Sequence, residues 1–109
     1  MSQVKIYGIR QHLQLLREKL SDVIHSCVVE ALQFPADKRA HRFIHLDKED
    51  FIYPNGRSDA YTIIELTMMA GRTVATRKAL IRLLFDRIEA QIGIAQNDIE
   101  ICIIESPPE

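Results

Sequence analysis

The sequence predicts an α+β fold, a two-layer α/β sandwich in which a four-stranded mixed sheet carries two helices on one face. Three observations predict it. Apolar residues recur at spacings of three and four over 11–33 and again over 74–92, the mark of two amphipathic helices. Segments 3–9, 40–46, 61–69 and 98–105 are short and rich in strand formers. Their order, strand–helix–strand, loop, strand–helix–strand, reads as two β-α-β units, pseudo-repeats over about 3–50 and 60–105. Two strands flanking a helix pair in parallel through a right-handed crossover. The 109 residues are expected to form a single domain, 1–109.

The first strand is QVKIYGI (3–9), with Gly8 near its end. The first helix carries Leu13, Leu16, Leu20, Val23, Ile24, Cys27 and Ala31 on one stripe, and Pro35 ends it because the residue before a proline avoids the helical region. In AHRFIHL (40–46), Ile44 and Leu46 share one face, Phe43 and His45 the other. Pro54 and Asn55-Gly56 mark 47–59 as a loop. YTIIELTMM (61–69) alternates, with Ile64, Leu66 and Met68 opposite Ile63, Glu65, Thr67 and Met69. Gly71 breaks this strand, and Thr73 suits an N-cap. The second helix places Ile81, Leu84, Phe85, Ile88 and Ile92 on one stripe and ends at Gly93, a residue suited to a left-handed C-cap. DIEICIIE (98–105) is the closing strand.

Helices on one face leave the other uncovered. That face is expected to hold Tyr7, Ile9, Phe43, Ile63, Met69, Cys102 and Ile104 beside Glu65 and Thr67. So much exposed apolar surface points to self-association through the open sheet face.

The bulk composition excludes several classes. Apolar residues are 47% and charged residues 27%, ordinary for a globular domain. A net charge of −1 and the absence of an aromatic RNP-like strand argue against nucleic acid. No apolar run nears the ~20 residues of a membrane span. MSQVKIYG lacks a long apolar h-region, so no signal peptide is expected and a cytoplasmic protein is. Cys27 and Cys102 fall in apolar patterns and read as small buried hydrophobes; a bridge between them stays open on sequence grounds, without any disulfide framework.

Few residues suggest chemistry. His41 and His45 share a strand face but lie ~13 Å apart along it, too far to share an ion, so no metal is expected. With His12 and His25 they read as surface or interface histidines. No nucleotide loop is present, and no cofactor is expected. Asp47, Glu49 and Asp50 read as a solvated loop, and Arg17, Glu18, Lys19, Arg77, Lys78 and Arg82 as a wet helix face. Gly71-Arg72-Thr73 opens a helix after a strand, so its backbone N–H groups suit an anion, or it is a plain joint capped by Thr73. Arg72 is the odd residue there, since a cation at a helix N-terminus is disfavoured by about 0.3–1 kcal/mol. Arg42 enters the second strand and Arg72 leaves the third. Two guanidinium groups suit a small organic carboxylate, and an intersubunit salt bridge suits them equally.

Three features carry a family resemblance: the strand ending in Gly71-Arg72-Thr73, the helical run Lys78-Ala79-Leu80-Ile81-Arg82, and DIEICIIES. With RSDAYTIIEL and HRFIHLDKEDFIYP, the chain resembles the tautomerase superfamily of 4-oxalocrotonate tautomerase and macrophage migration inhibitory factor, and in particular its fused two-unit members. The resemblance spans nearly the whole chain. It implies a homotrimer and a site near subunit boundaries, where Arg72 and Arg42 bind the carboxylate of an enol or keto acid. It also implies keto–enol isomerisation by an N-terminal proline base. Here the chain reads Met1-Ser2, so the Ser2 amine, of unperturbed pKa roughly 7.7–8, is the candidate base in that place. The aromatic, glycine-bearing segment that follows the last strand in such relatives is replaced by Ser106-Pro107-Pro108-Glu109. The alternative expectation is a non-enzymatic homo-oligomer that binds a small acid or a protein partner.

Overall fold

The computed structural model describes residues 2–107. The elements run β1 (Gln3–Ile9), α1 (Arg10–Leu32), β2 (His41–Leu46), β3 (Thr62–Met69), α2 (Val74–Ile92) and β4 (Ile99–Ser106), with 3-10 turns at Lys48–Asp50 and Gln96–Asp98. The sheet order is β2-β1-β3-β4. β1–β2 and β3–β4 are parallel, as crossover helices require, and β1–β3 is antiparallel. The expected mixed sheet with two covering helices is therefore present. No helix among the described residues is long and apolar enough to cross a membrane.

The main core lies between the sheet and both helices. Ile6, Leu20, Ile24, Cys27, Ile64, Leu66, Leu80, Leu84 and Ile88 are fully buried there. Both helices start and stop where their sequences specify. The Thr73 hydroxyl accepts from the Thr76 N–H (3.1 Å), satisfying one orphan donor of α2. Gly93, at φ 88°, lets its N–H return to the Ile88 and Glu89 carbonyls. Replacing Thr73 by alanine is expected to cost about 1 kcal/mol in a urea melt. α1 ends without a glycine: Gln33 takes the left-handed conformation (φ 54°) just before Phe34-Pro35.

Strand β2 departs from the expected facing. Phe43 pairs in register with Ile6 and packs on the helix-side core, while Ile44 aligns with Tyr7 and Leu46 with Ile9 on the other face. Leu46 joins Ile9, Phe51, Tyr53, Tyr61 and Ile63 in a second, smaller apolar cluster. The physical reason is that HRFIHL is apolar on both faces, so alternation alone does not choose; the parallel register with β1 does.

Two further expectations change. Cys27 is buried, but Cys102 is exposed on the open face, so the two thiols are free and lie on opposite sides of the sheet. His25 is a core residue whose Nε2 bonds the Ala36 carbonyl (2.8 Å), pinning the connector after α1.

Candidate functional site

Parallel strands with crossover helices gather particular chain segments at one end of the sheet. Here the start of β1, the end of β3, the first turn of α2 and the end of β4 converge, with the C-terminus of α1 beside them. Ser2 precedes β1 and continues its pairing next to Met68, since Gln3 is paired with Thr67. Its side chain is buried and its Oγ has no hydrogen-bond partner among the described residues. A buried hydroxyl left without a partner costs about 1–3 kcal/mol, so Ser2 is an unusual choice for packing alone.

Arg72 stands at the same end, in the turn between β3 and α2. Gly71 builds that turn at φ 117°, a conformation that only glycine takes without strain. The Arg72 Nη1 donates to the Leu32 carbonyl (2.7 Å), one of the orphan acceptors at the end of α1. No basic residue lies in the last turn of α1, so this guanidinium is the cation that compensates the negative end of that helix. The odd placement of Arg72 in the sequence has a local cost at α2 and a gain at α1. The side chain forms no salt bridge among the described residues, so donors remain for a second acceptor.

Arg77 was expected on the wet face of α2, and it is instead half-buried. Its Nη1 donates to the Arg72 carbonyl (2.7 Å) and pairs with Glu105 Oε1 (3.2 Å). A threonine–arginine pair one turn into a helix gives no local hint of this; the partners lie at positions 72 and 105.

Arg42 lies apart. It sits on edge strand β2 and donates to Gln3 Oε1 (2.6 Å) on the open face, where Gln3 and Thr67 are paired. Within one chain Arg42 and Arg72 have their partners on opposite faces of the sheet, so the structure does not assemble them into a single clamp. Nearby, Tyr7 donates to Glu65 Oε1 (2.6 Å), and that bond, with burial, raises the phenol above its usual range. Tyr61 is pushed up to about 12, by burial first and then by its bond to Glu100.

The histidines form a separate group. His41 lines an open groove of about 600 Å³ with Arg17, Glu18, Ser21, Asp22, Arg39 and Phe43. Its Nδ1 is 2.7 Å from Ser21 Oγ, and its ring meets His25 edge-on at 6.0 Å. Burial, then Arg39 and His25, lower its pKa to about 4. The described residues contain no cluster of three or more His, Cys, Asp or Glu side chains able to hold a metal.

A β-α-β–β-α-β sandwich with an arginine at the strand–turn–helix joint and the first residues of β1 beside it defines the tautomerase class. The chain belongs to the family described as Tautomerase enzyme, whose family model matches residues 38–109. It is 28% identical over 97 residues to the "Probable tautomerase YusQ" of Bacillus subtilis (strain 168), covering 84% of this chain and 76% of that one. The crystal structure of FG41 malonate semialdehyde decarboxylase inhibited by 3-bromopropiolate superposes with TM-score 0.88 at 28% identity, covering 97% of this chain and 84% of that one. A wild-type fused 4-OT, an asymmetric trimer, shares the fold with TM-score 0.83 at 21% identity, over 96% of this chain and 86% of that one.

Proposed function

We propose that the protein catalyses keto–enol isomerisation of a small carboxylated compound at the Ser2–Arg72 end of the sheet, with Arg72 binding the carboxylate. The observation that carries this reading is Arg72 itself: a guanidinium at the family's joint, bonded to one carbonyl and to no carboxylate among the described residues. A second carboxylate-binding arginine is assigned to Arg42 of a neighbouring copy in a homotrimer, because Arg42 and Arg72 of one chain have partners on opposite sheet faces. With Met1 removed, the Ser2 amine would serve as the base, and arginines around it would lower its pKa toward neutrality. Met1 lies outside the described residues. The free thiol on the open face accords with a reducing, cytoplasmic setting.

The test is ketonisation of phenylenolpyruvate, compared between wild type and Arg72→Ala. Loss of one charge-assisted contact is expected to lower kcat/KM by about 10- to 100-fold. Circular dichroism controls for the lost cap on α1. Ser2→Pro is expected to raise the rate if the N-terminal amine is the base. A second reading, a non-enzymatic homo-oligomer that binds a small acid or a protein partner, is favoured by Ser2 standing in place of a proline. Wild-type turnover no faster than solvent would select it.

A further inference from the structure

Arg77 occupies a poor place for a cation. It lies in the opening of α2, where the helix macrodipole is positive and no acidic residue stands in the first turn. Something beyond the helix must hold it, and two contacts do. Glu105, near the end of β4, pairs with Nη1 (3.2 Å), and the same nitrogen donates to the Arg72 carbonyl (2.7 Å). Both partners are about two-thirds buried, with side-chain exposures of 28% and 34%, so the pair is better shielded from solvent than the exposed ion pairs Arg10–Asp47 and Lys48–Asp59.

The turn it touches needs an external hold. Between the Ala70 N–H, which donates to Ser106 (2.8 Å), and the Thr73 cap, Gly71 supplies freedom rather than constraint. The carbonyl of Arg72 is fixed by Arg77, and the guanidinium of Arg72 by Leu32. A continuous line, Glu105–Arg77–Arg72–Leu32, therefore joins β4, α2, the turn and α1.

We propose that Arg77, oriented by Glu105, is a positioning residue for Arg72: it fixes the turn backbone so that the Arg72 guanidinium is presented in one orientation to a substrate carboxylate. The proposal rests on the reading of Arg72 as the carboxylate-binding group. Arg77 touches no substrate. Its effect is on binding, because an arginine in several orientations must be ordered by each ligand it receives.

The experiment compares wild type with Arg77→Met, Arg77→Lys and Glu105→Gln in two readouts. The first is the side-chain N–H spectrum of Arg72, assigned by loss of its signal in Arg72→Lys. Wild type is expected to show a resolved, slowly exchanging Arg72 guanidinium. Arg77→Met and Glu105→Gln are expected to broaden or shift it, and Arg77→Lys, which keeps charge and donor, to restore most of it. The second is phenylenolpyruvate kinetics, in which Arg77→Met is expected to raise KM by about 3- to 10-fold with kcat within about twofold of wild type. An unchanged Arg72 signal in folded Arg77→Met and Glu105→Gln overturns the proposal, as does a fall in kcat at constant KM. An altered Arg72 signal with no wild-type response to phenylenolpyruvate removes the substrate reading and leaves the positioning contact standing.

Discussion

Truncating Leu84 to alanine is expected to destabilise the protein by about 2–5 kcal/mol, the range for emptying a fully buried leucine site. Leu84 is 0% exposed, in the core cluster that also takes Leu80 and Ile88 of α2 and Leu20, Ile24 and Cys27 of α1. Neighbours drawn from both helices and the sheet cannot all close on the void, so the cavity penalty adds to the lost transfer energy. Against a total stability of about 5–15 kcal/mol this is a large share. For a domain of this size the melting temperature is expected to fall by about 10–20 °C. A thermal melt followed by circular dichroism decides it. A shift below about 3 °C would mean that Leu84 lacks the packing described.

The second large effect is acid lability through His41. Its folded pKa, lowered to about 4, lies below the unfolded value of 6.5. The folded protein therefore binds the proton less readily than the unfolded chain, and the unfolded chain gains protons first as pH falls. Stability from this group is full above pH 6.5 and is lost progressively as pH drops toward about 4. Burial is the main cause, with the Arg39 guanidinium and the His25 ring adding to it and Asp22 opposing them. The ring is partly open to the groove, so screening leaves an expected loss of about 1–2 kcal/mol. Urea denaturation at about pH 7.5 and about pH 4.5 should show a smaller difference for His41→Gln than for wild type. Equal differences in the two proteins would place the acid sensitivity elsewhere.

Most of the layout was legible before the coordinates. The helical stripes, the Thr73 and Gly93 caps, the four strands and the two-layer arrangement all rest on signals within a few residues of where they act. What was missed depends on distant partners. Phe43 faces the helices because β1 sets the register of β2. His25 is buried because Ala36 supplies a carbonyl and His41 a ring edge. Cys102 sits in an apolar pattern yet is exposed, because β4 is an edge strand with an uncovered face. Arg72 drew notice because it breaks a local electrostatic rule, but its partner, Leu32, lies 40 residues away. Arg77 breaks the same rule and read as ordinary surface charge, since charged residues are common on helices and only Glu105 and the Arg72 carbonyl distinguish it.

The bond from Arg72 to Leu32 also bears on the order in which the chain can be completed. The first half holds α1 but lacks the donor that closes its last turn, because that donor arrives with the joint between β3 and α2. Such a non-local closure forms only after the intervening loop has been ordered. The end of α1 should therefore fray until the second half docks, and the amide protons of its final turn should exchange together with those of the β3–α2 turn as one opening unit. The two β-α-β halves repeat a pattern, but each is not a finished folding unit: one of them borrows its helix ending from the other.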